Sequence, residues 1–239
     1  MIGAARHIVY LTAMAAIALS VSWEAVLGAQ QAVVLLGAIG LWRYGWAAVN
    51  FARATWFLRI VHPRRERARR ARFAEAGRPA HAFFLITSCR IDPEVSAQTY
   101  RSVFRAAACA PDGATVLASV VDGADARLVE TLRRDVRVTG RAVKVIVDRI
   151  AGTGKRDALA RSLRLIAREM PGPGDILVVV DGDTRVPEDI AARAAPVFSD
   201  PSVGALTTDE AVDIPEAGLF RDWFRLRFDQ RQVLMCSMG

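Results

Sequence analysis

The stretch "DILVVVDGDTRVP" (residues 175–187) is an apolar run that ends on two aspartates around one glycine. An apolar run of this length before a charged turn is typical of a strand buried on both faces of a parallel sheet. Two like charges this close together, on Asp181 and Asp183, favour a cation bound between them. The alternative is a turn that only ends the strand, because Asp-Gly is common in turns.

The same kind of apolar run occurs four more times in the second half of the chain. The predicted strands cover residues 82–87, 114–121, 142–148, 175–181 and 203–208. Segments with helical periodicity separate them, and Pro93 and Asp125 stand where two of these helices are expected to begin. This alternation predicts the α/β class, with a mostly parallel sheet and flanking helices. Ligands of such sheets bind beyond the carboxyl ends of the strands.

Charged residues follow the predicted strands at these carboxyl ends. The exits read "TSCRID", "DGAD", "RIAGTGKRD", "DGDT" and "TTDE". Paired carboxylates suit a divalent cation, and the glycine-bounded pair Lys155 and Arg156 suits a diphosphate. Asp122, at the second exit, is a candidate for hydrogen bonds to a base or a ribose. The sequence therefore predicts a site for a metal and a diphosphate ligand.

Two other phosphate chemistries fit these residues less well. A P-loop needs a glycine at position 149 and a hydroxyl at position 156, where this chain has Arg149 and Arg156. A phosphatase-type aspartyl nucleophile normally follows the first strand of its fold, whereas "DGDT" follows three predicted strands. Both patterns therefore disfavour an ATPase and a phosphatase.

The chain has 239 residues, is 52% hydrophobic and carries a formal charge of +7. Apolar residues crowd the first 60 positions, and we predict a transmembrane helical hairpin at residues 1–61, with spans at 8–27 and 32–58. A cleaved signal peptide is the alternative, but the first apolar segment is long for one and a second follows it directly.

An arginine-rich segment, residues 62–80, follows the predicted hairpin. Nucleic-acid binding is one interpretation, but the positive-inside rule explains the charge at the end of an apolar span. We therefore predict a juxtamembrane linker at a bacterial inner membrane, a cytoplasmic domain after it and no nucleic-acid partner. Cys89, Cys109 and Cys236 are far apart in sequence, which predicts reduced thiols buried as small hydrophobic residues, without a metal or a disulfide framework.

Residues 217–239 contain a helix with Leu219, Phe220, Trp223 and Phe224 on one side. Arginines surround that side, which predicts an amphipathic helix lying at the membrane interface. A helix that packs into the core of the same domain is the alternative.

The ordered set of a strand-exit aspartate, "GTGKRD", "DGDT" and a later "CS" segment resembles the processive family 2 glycosyltransferases. The stretches "LWRYGW", "TSCRID" and "MCSM" resemble the alginate-polymerising (mannuronan synthase) branch of that family. The resemblance implies a Rossmann-like GT-A domain over residues 81–216 that binds a nucleotide-sugar. It also implies a PilZ-type subunit that binds cyclic-di-GMP as a partner.

The resemblance assigns roles to the residues at the strand exits. It implies that Asp181 and Asp183 hold Mg²⁺ or Mn²⁺ on the donor. The other implied nucleotide-sugar contacts are Thr87, Asp122, Lys155, Arg156 and Asp181. The implied donor is GDP-mannuronate, which extends an exopolysaccharide. A UDP-sugar transferase of the cellulose- or hyaluronan-synthase kind and a non-catalytic membrane scaffold remain as alternatives.

The resemblance assigns no residue of this sequence to the activation of the acceptor. In this family the general base lies in a later carboxylate motif, which the sequence does not contain. Asp209 and Glu210 are the remaining strand-exit carboxylates, and a structural or acceptor-lining role suits them better. We therefore expect a truncated acceptor-side segment, and a chain that binds the donor without polymerising it.

Overall fold

The computed structural model of the chain describes residues 12–16, 30–76, 80–135, 143–208, 211–214 and 218–236. The chain divides into two compact units. One unit runs from His62 to Thr208 and contains a four-stranded sheet. The other combines Met1–Val61 with Asp209–Gly239, and its described secondary structure is helical.

Helices and strands alternate through the sheet-containing unit. In chain order the elements are α1 (Gln30–Trp56), a π-helical turn (Phe57–Val61), α2 (His62–Ala76), β1 (Ala82–Ser88), α3 (Pro93–Ala108), β2 (Ala114–Val120), α4 (Gly123–Asp135), β3 (Val143–Arg149), α5 (Lys155–Arg168), β4 (Ile176–Asp181), α6 (Ile190–Ala194), a 3₁₀ helix (Ala195–Ser199) and α7 (Leu219–Cys236).

The four strands form one parallel sheet in the order β3-β2-β1-β4. The predicted α/β class and parallel sheet are therefore confirmed, and these strands lie where the apolar runs predicted them. The fifth predicted strand is wrong, because residues 203–208 are irregular and mostly exposed. An apolar run indicates burial, but a strand also needs a neighbour, and none of the described strands pairs with this segment.

Strand β1 lies in the middle of the sheet, and its alternate side chains enter two different cores. Phe84 and Ile86 pack in the larger core, on the face that α3 and α4 cover. Phe83 and Leu85 pack on the opposite face with Ile166 of α5. Helices on both faces bury every residue of β2 and all but Thr87 of β1. The predicted burial on both faces is wrong for β3 and β4, because they lie at the edges of the sheet and are partly exposed.

Local capping explains where the helices begin. The carboxylate of Asp92 accepts hydrogen bonds from the backbone N–H groups of Glu94 (2.9 Å) and Val95 (3.3 Å), and Pro93 is the first helical residue of α3, as predicted. Helix α4 begins at Gly123, two residues before the predicted start at Asp125.

The predicted burial of the cysteines is wrong for Cys89 and Cys109, which are both exposed. Cys89 directly follows the last residue of β1, and Cys109 is the C-cap residue of α3, so each lies where its element leaves the core.

The arginine-rich segment is helical over most of its length. It forms α2, which contacts the 3₁₀ helix Ala195–Ser199 of the same unit. The hydroxyl of Ser199 donates a hydrogen bond to the backbone carbonyl of Arg69 at 3.3 Å. Side-chain and backbone hydrogen bonds from Ser202 lower the pKa of Asp200, and the charges of Arg69 and Arg72 lower it further.

In the helical unit, α1 and α7 contact each other, and Asn50 and Ala54 of α1 are buried. The predicted terminal helix is confirmed as α7, with exposed side chains at Leu219 and Phe220. Among the described residues, no helix combines the length and apolarity needed to cross a membrane. Residues 8–11 and 17–27 of the first predicted span lie outside the described residues.

Candidate functional site

A cavity of about 270 Å³ opens at the carboxyl ends of the strands. It lies beside β1 and β4, where the direction of the strand order reverses, which is where open α/β sheets bind ligands. The described residues that line it are Thr87, Ser88, Cys89, Ile91, Ser119, Val121, Ile150, Gly152, Gly154, Lys155, Ala158, Asp181, Gly182 and Asp183.

A row of four polar residues crosses the sheet at this edge. The strand register aligns Asp148 with Ser119, Ser119 with Thr87, and Thr87 with Asp181. In-register residues of parallel strands point to one face, here the face covered by α5. The preceding residues on that face include Leu85 and Leu117, which are completely buried and apolar. This face of the sheet therefore changes from apolar to polar where the cavity begins.

The first residue of α5 and the last residue of β4 form an ion pair across the cavity. Nζ of Lys155 lies 2.5 Å from Oδ1 of Asp181. The two side chains remain 59% and 55% exposed, so the pair contributes little to stability and is open to a ligand. A cation and an anion at the same opening suit a ligand that is anionic and carries its own counter-ion.

The loop before α5 brings backbone close to the cavity. Gly152 and Gly154 both line it and both have positive φ, at 69° and 124°. Gly154 is the N-cap residue of α5 and supplies no side-chain cap. A glycine-rich turn leading into a helix N-terminus favours phosphate, because the helix dipole and the first N–H groups attract negative charge there.

Gly182, between the two aspartates, has no room for a side chain. A Cβ at this position would lie 2.5 Å from Cδ1 of Ile91 and 2.8 Å from the carbonyl oxygen of Thr87. Its backbone therefore packs directly against the end of β1. This contact fixes the turn that carries Asp181 and Asp183.

Two buried hydroxyl groups line the cavity. Ser88 is 3% exposed and Ser119 is 1% exposed, and neither side-chain oxygen has a hydrogen-bond partner among the described residues. An unpaired buried hydroxyl costs free energy, because it has lost its hydrogen bonds to water.

Asp181 and Asp183 fit a hard divalent cation held jointly with a ligand. Both supply carboxylate oxygens at the cavity, the donor type that Mg²⁺ and Mn²⁺ prefer. No group of three or more His, Cys, Asp or Glu side chains within the described part of the chain could hold a metal. Magnesium is commonly bound by one or two carboxylates with the remaining ligands from phosphate and water.

The structure brings four of the predicted site residues together and leaves two outside the cavity. Thr87, Lys155, Asp181 and Asp183 line the cavity. Arg156 is exposed and is not among the described lining residues, although it follows Lys155 directly.

Asp122 also lies outside the described lining of the cavity. Its carboxylate accepts a hydrogen bond from the backbone N–H of Ala124 at 2.9 Å, at the start of α4. Burial, and secondly the charge of Asp122, raise the pKa of Asp125. The role of Asp122 in binding a nucleoside stays a prediction. Asp209 and Glu210 lie outside the described residues.

Sequence reasoning missed Ser119 and the buried Asp148. A hydroxyl inside the apolar run "ATVLASVV" was the available signal for Ser119. Asp148 ends the run "AVKVIVD", just as Asp181 ends its own strand. Only the register of the sheet shows that these residues share a row with Thr87 and Asp181.

Comparisons with known proteins agree with the chemistry of this cavity. Residues 79–239 match the family described as "Glycosyltransferase like family 2". The chain is 39% identical over 208 residues to "Glycosyltransferase alg8" of Pseudomonas syringae pv. tomato, covering 87% of this chain and 42% of that protein. It is 36% identical over 212 residues to the protein of the same name from Azotobacter vinelandii, with the same shares covered.

The chain therefore spans about two fifths of the length of these relatives. The matched family region includes all four strands and every described residue that lines the cavity. The resemblance that the motifs indicated is confirmed at the level of the family. With its parallel α/β sheet and the DGD turn at the sheet's edge, this chain belongs to glycosyltransferase family 2.

Proposed function

We propose that the cavity binds the diphosphate of a nucleotide-sugar, and that the protein to which this chain belongs transfers the sugar to a growing polysaccharide. The observation that carries the proposal is the convergence of Lys155, Asp181 and Asp183 with the glycine-bounded start of α5 on one cavity. The family relationship supports the proposal, because a nucleotide-sugar is the donor of this class of enzyme.

Each group in the cavity has a distinct task in this proposal. Lys155 exchanges its contact with Asp181 for the diphosphate, since a doubly charged anion is the stronger partner for an ammonium. The N-terminus of α5 adds its partial positive charge to the same phosphates. Thr87 and Ser119 offer hydroxyl groups on the floor of the cavity.

Asp183 and Asp181 would hold Mg²⁺ or Mn²⁺ beside the diphosphate. A bound divalent ion neutralises the diphosphate and so makes it a better leaving group. Gly182 keeps both carboxylates at the edge of the sheet, because its backbone packs against Thr87.

The donor that we propose is GDP-mannuronate, on the basis of the "TSCRID" and "LWRYGW" stretches and the relationship to the two proteins named alg8. The same stretches and the same two relatives support alginate as the polymer and a membrane as the place of its synthesis. The exposed apolar side chains of α7 are consistent with contact to the lipid interface.

Calorimetric titration of the chain with GDP, with and without Mg²⁺, tests the proposed donor site. We expect GDP to bind with Mg²⁺ and to bind at least tenfold more weakly after chelation, which is about 1.4 kcal/mol. Asp183→Ala should produce the same loss. Asp189→Ala is the matched control, because Asp189 is exposed in the same unit but lies outside the described lining of the cavity.

If neither chelation of Mg²⁺ nor Asp183→Ala changes the affinity for GDP, the DGD turn does not hold a metal on the donor. A chain that binds neither GDP nor UDP would favour a scaffold without a donor site. If the chain binds UDP more tightly than GDP, the proposed transferase activity stands, but the donor is a UDP-sugar instead of GDP-mannuronate.

A further inference from the structure

Among the described residues, three ion pairs join α5 to the strands of the sheet, and only one of them lies at the cavity. Lys155, at the start of the helix, pairs with Asp181. Arg161, near its middle, pairs with Asp148 of β3. Glu169, the C-cap residue, pairs with Lys144 at the other end of β3. The three pairs thus lie at the start, the middle and the end of the helix.

The pair in the middle has the most restrictive geometry. Nε of Arg161 donates to Oδ2 of Asp148 at 2.7 Å, and Nη2 donates to Oδ1 at 2.8 Å. The side chain of Asp148 is only 10% exposed, so the two parallel bonds anchor the guanidinium to a carboxylate fixed in the sheet. A two-point contact of this kind fixes direction as well as distance.

The start of α5 is held mainly from Ala158 onward, since Ala158 is the first buried residue of the helix. The two residues with positive φ, Gly152 and Gly154, precede it, and the N-cap has no side-chain hydrogen bond. Lys155 itself is more than half exposed. Contacts that lie further along the helix must therefore set where Lys155 stands.

Arg161 is close enough to serve as that contact. It follows Lys155 by six residues, about 9 Å along a helix that rises 1.5 Å per residue. Its partner Asp148 belongs to the same cross-strand row as Thr87 and Asp181. One rigid helix therefore connects the β3 end of the row, through Arg161, to the β4 end, through Lys155.

We infer that Arg161 and Asp148 form a positioning pair for the donor site. The pair touches no ligand and acts through Lys155 and the N-terminus of α5, which it holds against the place of the diphosphate. Neither residue is among the described lining of the cavity. The inference rests on the proposed function, because it takes the cavity as the diphosphate site.

The test measures GDP affinity in the presence of Mg²⁺ for variants of the whole chain. We expect Arg161→Ala to weaken GDP binding about tenfold, comparable to losing one charge-assisted contact. Arg161→Lys keeps the positive charge but cannot make the two parallel hydrogen bonds to Asp148, so we expect GDP affinity to fall about threefold. Glu169→Ala is the matched control, since it removes the ion pair at the far end of α5 and should leave GDP affinity unchanged.

A double-mutant cycle separates positioning from a general effect on the fold. If Arg161 acts through Lys155, Arg161→Ala should weaken GDP binding much less when Lys155 is already alanine. Equal losses in both backgrounds would overturn the inference and indicate a merely structural pair. Should Arg161→Ala fail to fold, Arg161→Lys carries the test, and GDP affinity equal to that of the unsubstituted chain would overturn the inference.

Different results would contradict the proposed donor site and the positioning role of Arg161. If the unsubstituted chain binds neither GDP nor UDP, the proposed donor site itself is wrong. If GDP binds and depends on Lys155, while Arg161→Ala and Arg161→Lys both bind it as tightly as before, only the positioning role is wrong.

Discussion

The ammonium of Lys155 contacts the carboxylate of Asp181 across the mouth of the cavity, at 2.5 Å. This pair joins the first residue of a helix to the last residue of a strand, and both side chains are more than half exposed. A metal ion arriving at Asp181 must compete with the ammonium, whereas a diphosphate gains from it. The same lysine should therefore have opposite effects on the two ligands.

Lys155→Met should tighten the binding of Mn²⁺ alone and weaken the binding of GDP. Removing the ammonium frees Asp181 for the metal ion and takes one positive charge away from the phosphates. Free Mn²⁺ measured by electron paramagnetic resonance, and GDP affinity by calorimetry, check the two signs. Lys144→Met is the control and should change neither, because Lys144 of β3 pairs with Glu169 at the far end of α5. Weaker Mn²⁺ binding in Lys155→Met would contradict the competition.

Ser119→Ala should leave stability unchanged or raised and should weaken GDP binding. The hydroxyl is buried without a described partner, so its removal costs the folded protein nothing. We expect a bound diphosphate to draw this hydroxyl towards the cavity that Ser119 lines, and the variant loses that hydrogen bond. Thermal denaturation and calorimetry measure the two effects. Ser162→Ala is a close control, because that hydroxyl is also buried and unpartnered among the described residues but does not line the cavity. Equal GDP affinity in both variants would remove Ser119 from the site.

Gly182→Ala should destabilise the protein by about 1–3 kcal/mol, the usual cost of forcing an extra methyl group into a packed place. The end of Ile91 can move aside, but the carbonyl of Thr87 belongs to the sheet. We therefore expect the DGD turn to shift and Mg²⁺-dependent GDP binding to fall. Urea denaturation measures the loss, with Gly204→Ala as the control because a Cβ there meets nothing within 4 Å. A Gly182→Ala variant as stable as the control would disprove the close approach.

Tyr100→Phe should stabilise the protein by up to about 1 kcal/mol at neutral pH. Tyr100 is fully buried, and its hydroxyl has no described hydrogen-bond partner. Burial, and secondly the charge of Asp125, raise the pKa of Tyr100 well above its ordinary value. The neutral hydroxyl is thus tolerated in the fold, while the ionised form is not.

The raised pKa also fixes how the effect of Tyr100→Phe depends on pH. The stability tied to the neutral form is fully present below about pH 10, the unfolded value, and is lost as pH rises towards the folded value. The advantage of phenylalanine should therefore grow above about pH 10. Denaturation midpoints at neutral and alkaline pH check this, with the exposed Tyr44→Phe as the control. If the stability difference between Tyr100→Phe and the unsubstituted chain is the same at neutral and alkaline pH, the pKa of Tyr100 is not raised by folding.

The apolar runs predicted where the strands lie, although only β1 and β2 are buried over nearly their whole length and β3 and β4 are partly exposed. Strands β1, β2, β3 and β4 all lie where the runs predicted them. The run at residues 203–208 has similar composition and forms no strand. Hydrophobicity reports only that a segment avoids water, and pairing depends on neighbours that a single segment does not specify.

The site was predictable wherever a residue's role follows from its place at the end of a strand. Asp181, Asp183 and Lys155 belong to this group, and all three line the cavity. Asp122 occupies an equivalent place, yet its carboxylate caps α4, a role that a "DGAD" stretch equally permits. The pair of Arg161 and Asp148 could not be predicted, because it depends on how α5 lies over β3.

The strand order has a consequence for how the site forms during folding. Strands β1 and β4 are neighbours in the sheet, but their paired residues are 94 positions apart in the chain. Closing so long a loop is entropically costly, and contacts of high sequence separation slow folding. Thr87 meets Asp181 only when the intervening helices and strands have been accommodated. Recovery of nucleotide binding should therefore lag behind the formation of helical structure on refolding, and the cavity serves as a reporter for completion of the fold.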